Sequence, residues 1–201
     1  MKQFGGFEDA QKNARYTSGE KLPAGAYVAK IMNVRYTPGE NGNSDRIDVQ
    51  FDITDGEYKG FFKKQFDENT QEDKKWKGKA SIYVPKDDGS EKDGWTKNTF
   101  AKWTNALEDS NAKYKWDWDE NKWKGLQIGL MFAETGNVIE GKEVVYTEVR
   151  YPMSVEDTKV QNIKIPALKK KNGFTGKKAS APANNDGFMN IPEGIEEEIP
   201  F

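Results

Sequence analysis

Arg46-Ile47-Asp48-Val49-Gln50-Phe51-Asp52-Ile53 alternates apolar and polar residues without a break. Ile47, Val49, Phe51 and Ile53 fall on one side, and Arg46, Asp48, Gln50 and Asp52 on the other. Side chains of a strand point to opposite faces in turn, so this octet predicts a strand with one buried and one wet face. Thr37-Pro-Gly-Glu-Asn-Gly-Asn-Ser44 before it and Asp55-Gly56 after it are loop and turn signals. A half-buried strand between turns belongs to an antiparallel sheet, and the fold class is mainly β.

Outward from this octet, Tyr27 to Tyr36 predicts an earlier strand and Phe61 to Phe66 a third. Lys79 to Val84 predicts a fourth short run, with Ala80, Ile82 and Val84 inward and Ser81 and Tyr83 outward. A helix follows. Thr96 is its expected N-cap, with Trp95 stapled onto Phe100. Phe100, Trp103 and Leu107 share a face, Asn111 is the stop, and Trp95 and Trp103 are expected in the core. Trp116-Asp117-Trp118-Asp119 and Trp123 are expected mainly to pack under a long loop, because Asp beside Trp repels phosphate, with stacking on DNA as the alternative. Leu126, Ile128, Leu130 and Phe132 mark another strand. Thr135-Gly136-Asn137 and Glu140-Gly141-Lys142 are expected to bracket a hairpin connection, and Val144 to Met153 forms the last long strand. Pro152 suits an edge or strand end.

Several strands, one helix and two more strands suit an OB-fold, a five-stranded, partly open Greek-key barrel that binds oligonucleotides. Resemblance to that fold puts the helix between the third and fourth strands. The reading gives one domain over 1–168 with an inserted arm around 67–95. Residues 1–22 are polar and irregular, with Phe4 and Phe7 as candidates for docking on the body. From Lys169 the chain turns Lys-, Gly- and Ala-rich, so 169–201 reads as a flexible linker and a disordered acidic tail.

Composition narrows the function classes. The chain has no Cys and no His, which removes disulfides, thiolate metal sites and the usual general base. A hydrolytic triad or zinc site is hard to build from what is left. The reading therefore expects no enzyme, no cofactor and no metal. No stretch is long enough to span a membrane. The N-terminus lacks the apolar segment of a secretory signal, and cysteine usage fits a reducing compartment. Charge is split along the chain. Residues from Asn184 carry five of the 33 acids and no base, so residues 1–183 hold 31 bases against 28 acids.

That tail ends Glu196-Glu197-Glu198-Ile199-Pro200-Phe201. Three carboxylates lead into two apolar side chains and the terminal carboxylate, a shape suited to a pocket on another protein with a basic residue at its rim. The tip resembles that of bacterial single-stranded DNA-binding proteins, an acidic run followed by Ile-Pro-Phe, with Glu where those proteins usually carry Asp. Length, Trp content and the rest of the body look more like the versions encoded by phages of Gram-positive bacteria. The resemblance implies binding of single-stranded DNA without sequence preference in phage replication and recombination. It also implies recruitment of phage or host replication and recombination proteins through the tip, in the cytoplasm of the infected host. Oligomeric state stays open, a homo-oligomer included.

Binding a single strand takes cations along a groove and aromatic faces for bases. Lys74-Lys75-Trp76-Lys77-Gly78-Lys79 followed by Tyr83 is the best local match. Its alternative is a solvated loop whose Trp packs back on the barrel. Lys63 and Lys64 beside two Phe form a second cluster. Arg35, Tyr36 and Arg46 flank the first long loop, and Tyr146, Arg150 and Tyr151 sit on the last strand. Two other classes compete. One is a Mg²⁺-dependent nuclease using Asp48, Asp52 and the Glu57-Tyr58-Lys59 run. The other is a replisome adaptor that binds no DNA.

Overall fold

The computed structural model describes residue 5, residues 21–40 and residues 42–176. The elements are β1 (Gly25–Thr37), β2 (Arg46–Ile53), α1 (Phe61–Glu68), β3 (Lys79–Tyr83), α2 (Glu91–Ser110), β4 (Gln127–Ile139), β5 (Lys142–Met153) and β6 (Lys169–Lys170). The sheet runs β3-β2-β1-β4-β5, with β6 added in parallel to β4 and the other pairs antiparallel. It is mainly β and open, with β3 and β5 at the ends of the path and α2 between β3 and β4 in sequence, an arrangement compatible with an OB-like fold. Helix α2 packs on β3, β4 and β5, so it spans the two ends of the open sheet. Among the described residues no helix is long and apolar enough to cross a membrane.

Strand β2 has the bounds its alternation predicts. Val49, Phe51 and Ile53 are almost fully buried, together with Ile31 of β1 and Ile128 and Leu130 of β4. Against them α2 lays Trp103 and Leu107, four residues apart on one face. Trp123 is fully buried, and its indole N–H donates to Tyr114 Oη at 2.8 Å. Burial pushes that Tyr114 phenol up to about 12, against the opposing effect of the Trp123 hydrogen bond.

Phe61 to Phe66 is a helix and not a strand. Asp52, expected on the wet face of β2, is buried and reaches its start. Its carboxylate accepts from the backbone N–H of Phe62 at 2.9 Å and of Lys63 at 3.2 Å. The residue in the N-cap position is Gly60, which has no side chain to offer, so Asp52 supplies the cap from a neighbouring strand. Phe62 and Phe66 then lie one turn apart, with Phe62 buried.

Helix α2 begins at Glu91, before the expected Thr96. The Ser90 hydroxyl accepts from the Asp93 N–H at 3.1 Å, and Asp93 in turn accepts from the Asp87 N–H. Trp95 therefore sits inside the helix and is 72% exposed, not in the core. Trp118 is 83% exposed, so the packing expected of the Trp116–Trp123 run holds for Trp116 and Trp123 alone.

Thr135-Gly136-Asn137 is strand and not part of a turn, and only Glu140-Gly141 connects β4 to β5. Gly136 is there for a close approach. A Cβ at this position would collide with the ring of Phe174, which is buried against it. Residues 169–176, expected as flexible linker, are docked on the β4–β5 ribbon. Lys171 N–H donates to Gly136 O at 2.8 Å, Lys171 Nζ contacts Glu148 at 3.0 Å, and Thr175 donates to Glu143 at 2.7 Å. The stretch 67–95, expected as an arm, contributes β3 to the sheet and the first turn of α2.

Candidate nucleic-acid interface

Residues directly opposite one another on antiparallel strands point to the same side of the sheet. The register of β1, β2 and β3 puts Asn33, Gln50 and Lys79 in one row, Arg35, Asp48 and Ser81 in the next, and Thr37, Arg46 and Tyr83 in the third. These rows alternate with Val34–Val49–Ala80 and Tyr36–Ile47–Ile82, which face the core side. The outward face thus carries three cations, a phenol that is 58% exposed, and small polar groups between them. Asp48, the one carboxylate in these rows, is engaged. Arg46 Nε donates to it at 3.0 Å, and the Ser81 and Thr37 hydroxyls donate as well. Burial pushes its carboxyl up, but these hydrogen bonds and the Arg46 charge outweigh it and the pKa is lowered. Asp48 therefore stays ionised and steers Arg46 across the face.

The third row continues into a groove of about 660 Å³. One bank is Thr37 at the end of β1 with residues 38–40 and 42–44 after it, the acid Glu40 among them; the other is Lys92 and Thr96 of α2. Arg46, Tyr83 and Lys86 lie between them. The loop is fixed by Asp45, which accepts from Gly39 N–H at 2.8 Å and from the Tyr36 hydroxyl. The Tyr36 hydrogen bond is the largest cause of a lowered Asp45 pKa and a raised Tyr36 pKa. Lys86 and Lys92 were not among the sequence candidates. Each lies in Pro85-Lys-Asp-Asp-Gly-Ser-Glu-Lys-Asp93, where neighbouring acids mask the cations in the sequence, and in the fold both still share a small hollow with Asp88 and Asp93.

The other candidates are distributed differently. Trp76 is half-buried against the core, and its indole N–H donates to Phe51 O at 3.1 Å and Gly78 O at 3.0 Å. Gly78 has no room for a side chain, which would run into Phe51 O and the Phe62 ring. Lys74 Nζ lies 4.6 Å over the Phe66 ring, while Lys75 and Lys77 are exposed. The packed alternative for this Trp is the one observed. Lys63 and Lys64 are on α1, and Lys63 pairs with Asp67 at 2.6 Å. Tyr146, Arg150 and Tyr151 are on β5, the far end of the strand path. Arg150 donates to Glu134 O and is largely covered, Tyr146 lies beside Lys171, and Tyr151 borders a shallow hollow with Lys102. Tyr36 faces the core side and lines a separate cleft. Glu196, Glu197, Glu198, Ile199, Pro200 and Phe201, with Phe4 and Phe7, lie outside the described residues.

For metal-assisted cleavage, Asp48 and Asp52 would have to share an ion with Glu57. Asp52 caps α1 and Asp48 holds Arg46, and no group of three acids able to hold a metal ion occurs among the described residues. No protein-family model matches the chain, and no curated protein matches it in sequence.

Proposed function

We propose that this protein binds single-stranded DNA without strong sequence preference along the outward face of β1, β2 and β3 and the groove beside it. The observation that carries this reading is the continuity of Arg35, Arg46 and Lys79 on the face with Lys86 and Lys92 in the groove, around the exposed Tyr83. Cations of this kind neutralise backbone phosphates, and a phenol ring takes the face of any base. The resemblance of Glu196–Phe201 to the tip of single-stranded DNA-binding proteins supports the same reading. It adds recruitment of replication and recombination proteins, in a phage-infected bacterial cell, as the tail's role.

Titration with fluorescent oligo(dT) and with duplex of equal length, at several salt concentrations, tests it. The single strand should bind more tightly, and log affinity should fall with log salt by about 0.7 for each phosphate contact. Equal binding of the two, or no binding of either at low salt, rejects the proposal.

A further inference from the structure

An apolar cleft of about 590 Å³ lies on the core side of the same rim. Its walls are the rings of Tyr36, Phe100, Trp116 and Trp118. Trp118 lies 5.9 Å from Trp116, and Trp116 lies 5.7 Å from Phe100, so the rings form a connected series. Trp118 is the outermost, and its backbone has φ of 67°, a left-handed conformation that is costly for a bulky side chain. A folding core gains nothing from a strained, exposed indole. Trp116 Nε1 is buried and finds no acceptor among the described residues, a second cost at the same place.

The cleft and the cationic groove are separated by a wall one residue thick. Thr37, Arg46 and Tyr83 line the groove, and their chain neighbours Tyr36, Ile47 and Val84 line the cleft. The same division falls between Lys86 and Asp87, and between Thr96 and Lys97. A strand whose phosphates follow the groove therefore passes within one residue of the cleft mouth. Phosphate itself is kept out, because Asp87 and Glu120 stand at the lining, with Lys97 already paired to Asp87 and Asp93. An uncharged planar ring is the part of the strand that fits aromatic walls.

We propose that this cleft takes one unpaired nucleobase of the bound strand, turned over the rim and stacked on Trp118. The proposal rests on the DNA-binding reading above and deepens it. It is tested by oligo(dT) binding of wild type, Trp118→Ala and Trp118→Phe, with photocrosslinking of 5-iodouracil oligonucleotides to the full chain. Trp118→Ala should weaken binding roughly 5- to 150-fold, the range for loss of one stacked base, with the salt slope unchanged because no phosphate contact is lost. Trp118→Phe should recover most of the affinity, and the crosslink should map to Trp118. If wild type binds but Trp118→Ala binds equally and the crosslink lies elsewhere, the base pocket is wrong and the groove reading stands. If wild type does not bind, both readings fall.

Discussion

Arg46 and Tyr83 face each other across β2 and β3, so a guanidinium and an exposed phenol share one row of the sheet. The pair joins the flat face to the groove, and the two side chains have separable tasks. Tyr83→Ala should weaken oligo(dT) binding by about 1–3 kcal/mol with little change in salt slope. Arg46→Ala should lower the slope by about 0.7, the value of one phosphate contact on a single strand. Anisotropy titrations across a salt series measure both.

Trp76 gives the opposite expectation. Its ring packs on the core and its N–H is tied to two backbone carbonyls. Trp76→Ala should cost stability toward the lower end of the ~3–5 kcal/mol typical of Trp→Ala in a core, since the ring is only half-buried. Oligo(dT) affinity of the folded variant should not change. Urea unfolding followed by circular dichroism reads the first, and titration in native buffer reads the second.

Asp52 should matter for folding alone. Asp52→Ala removes the cap of α1 and leaves the Phe62 and Lys63 N–H groups unpaired, for a loss of about 0.5–2 kcal/mol or somewhat more given the burial. The urea midpoint should fall while DNA affinity holds.

The docking of residues 169–176 should be acid-sensitive. Burial pushes the Glu148 carboxyl up, but hydrogen bonds from Thr135 and Lys171 and the charges of Lys171 and Arg150 outweigh it and its pKa is lowered. A lowered folded-state pKa means the folded state binds the proton less readily than the unfolded chain does. The contribution is present above the unfolded value of about 4.3 and is lost as pH falls through the folded value. The protection factor of the Lys171 amide, whose N–H bonds Gly136 O, should fall as pH drops below about 4.3. In Glu148→Gln the protection factor should be lower at neutral pH and flatter with pH.

The tail prediction rests on sequence. Removing residues 184–201 takes away five acids and no base. DNA affinity should be equal or higher, most visibly at low salt where screening is weakest. Phe201→Ala should abolish retention of replication and recombination proteins in a pull-down, since it removes the proposed apolar anchor.

Strand positions were legible where one face is buried and the other wet. Alternation in Arg46–Ile53 and Lys79–Tyr83 gave those strands and their inward residues, and Asn111 gave the end of α2. Helix α1 was not legible, because Phe-Phe-Lys-Lys suits either state and its cap comes from Asp52, ten residues upstream of Phe62. Gly136 read as a turn because the ring it makes room for, Phe174, lies far along the chain. The proposed binding face was half legible. Arg35, Arg46, Lys79 and Tyr83 could be picked as residue types, but register alone shows that they share a face that Lys63, Trp76 and Arg150 do not. The flanking acids of Trp118 favour packing over DNA stacking, and local sequence carries no sign that its ring stands in solvent.

Amide chemical-shift mapping of the ¹⁵N-labelled protein with oligo(dT) shows which face of the sheet meets the strand. The largest shifts should fall at Arg35, Arg46, Lys79 and Tyr83 and along the Thr37–Ser44 loop, with β5 quiet. Shifts concentrated at Tyr146, Arg150 and Tyr151, or no shifts at saturating oligonucleotide, would contradict the proposed binding face.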